Sequence, residues 1–287
     1  MKRLGILLGL LSLFASAAWG AQQAVVDAVQ APAWVERDGR MQPAAVGMEV
    51  TGRDRIRTGN DSRVYLKLAD GSTVKLGENG ELLVESLGRG ENRLFTAALD
   101  VLKGAFRFTT ATLARPVGRD VKIRVAAVTA GIRGTDIWGR TAPDKDFVCL
   151  LEGHITVSHK DGYIRDMAEP LTFYQALRDQ APQEIAKVDA EQVRKWAAET
   201  EIADGVGASR GGGKWKVRLA AAESQAEALT TYDQARKAGY AATIRPRAQG
   251  DAMRYEVLLG GLPSELEARV LAGKIKATLG LDAQPTR

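Results

Sequence analysis

The chain has 287 residues, 45% of them apolar, which suits two domains with sizeable cores better than one small domain. Of its formal charge of +5, Lys2 and Arg3 supply two, so loss of the N-terminus leaves +3. An excess this mild fits an anionic surface such as a cell wall and excludes a charge argument for nucleic acid.

Residues 1–20 have the layout of a secretory leader. Lys2-Arg3 form a basic end, Leu4 to Ala18 an apolar run, and Ala18-Trp19-Gly20 puts small residues where a signal peptidase reads, with cleavage expected before Ala21. The run is about 15 residues, short of the roughly 20 that span a bilayer. Retention as an anchor is the alternative reading. No later stretch is apolar enough to cross a membrane, and no cysteine follows the run to carry a lipid. The expected location is therefore periplasmic, with no stable span after cleavage. Cys149 is the sole cysteine, so no internal disulfide can form. Its apolar setting, Phe147-Val148-Cys149-Leu150-Leu151, predicts a buried, inert thiol.

From Val25 to Val157 short runs rich in Val, Ile, Leu, Thr and Phe alternate with turn signals, the pattern of β structure. Ser62 to Leu68 places Val64, Leu66 and Leu68 on one face and Arg63, Tyr65 and Lys67 on the other, and Asp70-Gly71 ends it. Thr73-Val74-Lys75-Leu76 repeats the alternation. Further strands are expected at Glu81 to Glu85, Leu99 to Leu102 and Ala105 to Thr109. The pattern predicts an all-β N-terminal domain, either a sandwich or a short solenoid. Thr58-Gly59, Asp70-Gly71 and Glu152-Gly153 each put a glycine where a positive φ is expected.

Several of these segments carry a family resemblance. Gly52-Arg53-Asp54-Arg55-Ile56-Arg57-Thr58-Gly59, Ser62-Arg63-Val64, Ala69-Asp70-Gly71-Ser72, Lys103-Gly104-Ala105, Thr129 to Asp136 and Glu152 to Val157 together resemble the FecR domain, over about residues 45–160. The resemblance implies an extracytoplasmic, β-solenoid-like domain that in its best-known members belongs to a membrane-spanning sigma-factor regulator. This sequence shows neither a cytoplasmic domain before the apolar run nor an internal transmembrane helix. The Arg133-Gly134-Thr135-Asp136 turn has two readings. Arg133 and Asp136 face a partner, or they pair across the turn and hold neighbouring strands together.

Residues 165–213 read as a helix-containing linker between a β domain at 21–164 and a module at 214–287. Asp189-Ala190-Glu191-Gln192 has capping-box spacing and opens a short helix to about Glu201. Val193, Trp196 and Ala197 share one face. Trp196 docks that helix on the β domain, or else serves as a binding aromatic. Asp204 to Gly213, rich in glycine, reads as flexible.

The last module reads as βαββα. Trp215 to Ala220 forms a strand, Ser224-Gln225-Ala226-Glu227 opens a helix that stops at Gly239, two strands follow, and Ser264-Glu265-Leu266-Glu267 opens a helix that stops at Gly280. Trp215, Val217 and Leu219 share a face, as do Tyr255, Val257 and Leu259. Apolar helix stripes are expected at Ala226, Leu229 and Tyr232, and at Leu271, Ile275 and Leu279. Two helices cover one face of a sheet, leaving Lys216, Arg218, Arg245, Arg247, Arg254 and Glu256 on the other.

Trp215 to Leu219, Ala238-Gly239-Tyr240 and Tyr255 to Leu262 resemble a SPOR domain. The resemblance implies a four-stranded antiparallel sheet with two helices on one face, an α+β fold. It also implies peptidoglycan binding, especially to glycan strands stripped of stem peptides at division sites, and hence enrichment at the septum. Arg218 stands where the family usually has Gln, and Ala220-Ala221-Ala222 replaces a Gly-Ser-aromatic run. The basic face is then the expected glycan contact, since Arg grips a carboxylate with two parallel hydrogen bonds. The other reading is an ordinary solvated surface.

No catalytic constellation emerges. His154 and His159 are five apart and fall on opposite faces of a regular strand, and the chain has no Cys-x-x-Cys or His-Glu-x-x-His. No metal, cofactor or enzymatic activity is expected. The sequence thus predicts an exported, non-enzymatic wall-associated protein. Its C-terminal module holds peptidoglycan, and its β domain acts as scaffold or binds an envelope protein. The alternative is a periplasmic sensor or accessory part of a FecR-type signalling system.

Overall fold

The computed structural model describes residues 23–90, 94–111, 118–126, 128–132, 134–159, 162–177, 180–181 and 183–287. The expected leader over residues 1–20 and Arg133 lie outside the described residues.

The first part of the chain is a two-layer β-sandwich. One layer runs, edge to edge, through Ser209–Arg210, Ala24–Gln30, Arg63–Leu68, Thr73–Leu76, the second half of Phe95–Thr109, Asp136–Thr141, Lys145–Glu152, Thr172–Leu177 and Ala186–Lys187. The other runs through Arg40–Pro43, Ala33–Arg37, Arg55–Thr58, Glu81–Arg89, the first half of Phe95–Thr109, Arg119–Val125, Val128–Ile132, Ile155–His159 and Ile164–Met167. All these ladders are antiparallel except the pairing of Arg119–Val125 with Phe95–Val101. A solenoid would stack parallel rungs in chain order, so the solenoid alternative is corrected to a sandwich.

The long strand Phe95–Thr109 belongs to both layers. Its pairing with Glu81–Arg89 ends at Lys103, and its pairing with Asp136–Thr141 begins at Gly104. Gly104 has φ +82°, and a Cβ there would lie 2.8 Å from the Gly80 Cα, so the turn from one layer to the other needs glycine. Of the three turn glycines expected at positive φ, Gly71 and Gly153 have it. Gly59 does not. The left-handed residue of that turn is Asp61, and Gly59 is instead confined by Pro32, 2.9 Å from where a Cβ would sit.

The alternation read from the sequence fills the space between the layers. Val64, Leu66, Leu68, Val74, Leu76, Phe106, Phe108, Val148 and Leu150 from one layer meet Val35, Ile56, Leu82, Val84, Leu99, Val101, Ile123 and Val157 from the other. All are essentially removed from water, which at about 25 cal/mol per Å² is the main stabilising term.

The middle segment departs from the expected linker. Residues 164–167 and 172–177 add strands to the two layers. Helix α1 (Ala190–Ala198), capped by Asp189, then lies across the outer face of the first layer. There Trp196 stacks on Trp138 with ring centres 5.0 Å apart and contacts Phe147 and Phe173. Glu201 follows, bonded to Lys75, Arg107 and Tyr65. The glycine-rich stretch is also anchored. Gly205, Gly207 and Ala208 donate their amides to Glu267, and Ser209–Arg210 joins the sheet edge beside Ala24–Gln30. Its glycines let the backbone pass close to the helix that carries Glu267, where a Cβ on Gly207 would lie 3.0 Å from the Leu271 nitrogen.

The C-terminal module is a four-stranded antiparallel sheet in the order Thr243–Gln249, Ala252–Leu262, Trp215–Ala222, Gln284–Thr286. Helices α2 (Gln225–Lys237) and α3 (Glu265–Leu279) cover one side. Ser224 and Ser264 each accept the amide three residues on, as capping requires. α3 buries Leu271 and Ile275 as expected. The stripe expected on α2 is corrected at Ala226 and Leu229. Ala226 is exposed and Leu229 is 40% exposed, whereas Ala228 and Ala235 are buried. Small residues let this helix sit close to the sheet, with Leu229 turned outward, whereas Tyr232 of the expected stripe is partly buried against the module's core.

Candidate functional site

The strand register puts the sequence-predicted face together. Arg247 stands directly opposite Arg254, Arg245 opposite Glu256, and Thr243 opposite Leu258. On the next strand Arg218 pairs with Leu258, and on the far edge Lys216 and Arg218 pair with Thr286 and Gln284. Val217, Leu219, Val257 and Leu259 occupy the opposite face under the helices and are buried. The alternation holds although the Trp215–Ala222 strand has two register shifts, one on either side of Val217-Arg218.

Glu256 lies at the centre of this face. Its carboxylate bonds Arg247 Nε at 2.5 Å and lies 3.8 Å from Arg218 Nη1. Its side chain is only 16% exposed, whereas Arg247 is 63% and Arg218 42% exposed. Lys216, Arg245 and Arg254 have no ion-pair partner among the described residues. One carboxylate thus faces five cations. Like charges directly opposite each other on a sheet repel, so the Arg247–Arg254 pair, with Arg245 beside it, favours an incoming anion. Arg254 and Leu258, four positions apart on one strand, are separated by roughly 13 Å. The cations therefore form two groups, Arg245, Arg247 and Arg254 at one end and Lys216 and Arg218 at the other.

The β domain meets this module from the helix side. Ala33 donates to the Gly239 carbonyl at 3.2 Å, and a Cβ on Gly239 would lie 2.6 Å from the Trp34 ring. Lys274 of α3 binds Asp61 at 2.8 Å, and Glu267 of α3 takes the amides of the middle segment. A narrow cleft of about 190 Å³, lined by Val29, Ala44, Val46, Tyr240, Leu259 and Leu271 among others, remains between them.

Of the second sequence-predicted cluster, the structure describes Asp136 alone. Arg133 is outside the described residues, and Asp136 is engaged within the sandwich. Arg107 binds it with a fork of 2.9 and 2.7 Å, and Thr109 donates a further bond at 3.2 Å. Arg107 is therefore the described partner of Asp136. Asp136 and Arg107 lie across the ladder that joins Phe95–Thr109 to Asp136–Thr141, a pairing invisible without the register. His159 is buried, while His154 is at the surface 3.7 Å from Asp166. Cys149 is fully buried, and burial pushes its thiol up to about 12.

Sequence reasoning missed Gln284 and Thr286 on the basic face. The edge strand Gln284–Thr286 is three residues long and contains Pro285, so it lacks both the length and the composition of a strand. It also missed the charged contacts of Glu199 and Glu201. Their spacing behind Trp196 is the one local hint that the segment lies on a basic surface.

The profile of the FecR protein family matches residues 54–156, and that of the SPOR domain matches residues 211–287. SPOR domains bind peptidoglycan and occur in periplasmic envelope proteins, and FecR domains occur in signalling and anti-sigma-factor-like proteins; both are non-catalytic families. Similar solved structures include two of a Parabacteroides distasonis ATCC 8503 protein provisionally called an anti-sigma factor, at 1.65 and 2.50 Å resolution. Their identities to this chain are 14% and 13%, with a TM-score of 0.42 for each; the matches cover 79% of this chain and 92% and 91% of theirs. No curated protein matches the chain significantly. No helix among the described residues is long and apolar enough to cross a membrane. The chain therefore carries a FecR domain over residues 54–156 followed by a SPOR domain over residues 211–287.

Proposed function

We propose that this is an exported, non-enzymatic cell-wall-associated protein whose SPOR domain holds peptidoglycan glycan strands on the open face of its sheet. Lys216, Arg218, Arg245, Arg247 and Arg254 make the contacts, with Glu256 aligning Arg247 and Arg218 between them. The observation that carries this reading is Arg247 placed directly opposite Arg254 on a face that neither helix covers. Glycan strands of the wall carry a lactyl carboxylate on alternate sugars, free where the stem peptide has been removed. A guanidinium binds such a group through two parallel hydrogen bonds, each charge-assisted. The attachment of the β domain to the helix side supports the reading, because it leaves the basic face accessible. In this arrangement the FecR domain is a scaffold carried to the wall, or to the septum where stripped glycans accumulate, and it presents its own surfaces to an envelope protein there.

The test is sedimentation of the mature chain with purified sacculi. Wild type pellets, and an Arg247→Ala, Arg254→Ala double variant stays largely in the supernatant. Equal pelleting of the two would overturn the assignment of the face.

A further inference from the structure

We infer that the segment Val188–Ile202 is a detachable strap, and that the groove beneath it is a docking site for an amphipathic helix bearing one aromatic residue followed by acidic residues. The strap itself displays that chemistry. Val193 and Trp196 pack into an aromatic floor of Trp138, Phe147 and Phe173, with Ala105 and Cys149 between. Beyond the helix, Glu199 binds Arg140 at 2.6 Å, and Glu201 binds Lys75 at 2.6 Å and Arg107 at 2.9 Å. Without the strap, the outer face of this layer is an aromatic groove rimmed by Lys75, Arg107 and Arg140. An acidic, aromatic helix complements it in both shape and charge.

Three observations mark the strap as removable. No residue of α1 is fully buried, although the residues beneath it are: Trp138 is 1% exposed and Cys149 0%. At nine residues α1 is shorter than the roughly 12 that hold a helix in isolation, so docking alone maintains it. The fit beneath it is also incomplete, since the Trp138 indole N–H is buried and finds no acceptor among the described residues. The inner core, between the layers, contains none of the strap's side chains; Thr200 and Ile202 at its end are buried outside that core, Ile202 against Ala28, Tyr65 and Ala208. The strap can therefore leave while the sandwich stays folded, the behaviour of a low-stability local unit.

Cys149 reports on this directly, because it is the only cysteine and lies on the groove floor. The experiment follows its labelling by a disulfide-forming reagent in the full chain, with urea unfolding followed in parallel by circular dichroism. Wild type is expected to label slowly at zero urea at a rate little affected by low urea. Trp196→Ala should label about tenfold faster or more while the sandwich keeps its cooperative transition. A synthetic peptide of residues 187–203 should slow labelling of that variant severalfold, and the same peptide with alanine for its tryptophan should not. If Trp196→Ala does not fold, Glu201→Gln takes its place with the same expectations. Labelling that rises only in step with global unfolding would overturn the strap. Failure of the tryptophan peptide to protect would overturn the docking site.

Discussion

The carboxylate of Glu267 accepts the backbone N–H of Gly205 at 2.6 Å, joining the first turn of α3 to the segment that leaves the β domain. The same carboxylate takes the amides of Gly207 and Ala208, and Glu267 is only 5% exposed. Glu267, whose own amide caps on Ser264, thus gives its carboxylate to a tertiary role. Glu267→Ala leaves three amides without their acceptor and should cost about 2–4 kcal/mol. Calorimetry is expected to show one transition for wild type and separate transitions for the two domains in the variant. Glu267→Gln, which keeps an acceptor oxygen, should lie between them.

Gly239 serves both the stop of α2 and the contact between the domains. Its φ of +86° is strained for any other residue, and a Cβ would enter the Trp34 ring and crowd Pro32. Gly239→Ala should lower stability by more than about 1 kcal/mol, read as a lower urea midpoint. Gly250→Ala, also at positive φ but with open space around it, should lose less, since it lacks the clash.

Glu201 gives the strap a pH dependence. Burial pushes its carboxyl up, but hydrogen bonds from Lys75 and Tyr65 and the charge of Arg107 outweigh burial and hold it below the ordinary carboxylate value of 4.5. A group depressed in the folded state stabilises above its unfolded pKa, and the contribution fades as pH falls through the folded value. Glu201→Gln should therefore be less stable than wild type at pH 7, and the gap should close below about pH 4.5. Urea midpoints measured across this range check it, and a gap that widens on acidification would contradict the assignment.

The basic face should bind in a salt-dependent manner. Contacts between exposed charges are screened as the Debye length shrinks from about 10 Å at 0.1 M to 3 Å at 1 M. Sacculus binding is expected to weaken steadily over that range in wild type and to depend less on salt in an Arg245→Ala, Arg254→Ala variant. Glu256→Gln removes the one carboxylate on the face and frees Arg247 and Arg218 from their ion pairs. It should tighten binding to anionic polymers in general while eroding the preference for wall glycan over, for example, heparin. Filter binding with both polymers separates the two effects.

Much of this architecture is written locally in the chain. The alternation of Val64, Leu66 and Leu68 fixes which side of a strand enters a core, because successive side chains of an extended chain point to opposite faces. Ser224 and Ser264 start their helices through the amide three residues on, and Gly280 ends α3 at φ +69°; these are interactions within a single turn. By the same alternation the cations of the SPOR face fall on one side of the sheet, opposite Val217, Val257 and Leu259. Tertiary structure decided what lies against what. Whether short strands stack as a coil or close as a sandwich depends on pairings such as Gly104 with Thr141, between residues far apart in sequence. That a glycine-rich stretch is clamped, not loose, depends on Glu267 arriving about 60 residues later. Arg107 reaches Asp136, and Trp196 reaches Trp138, only because the chain has folded back on itself. Local rules set the faces of each element, and the free energy of burying those faces together selected their partners.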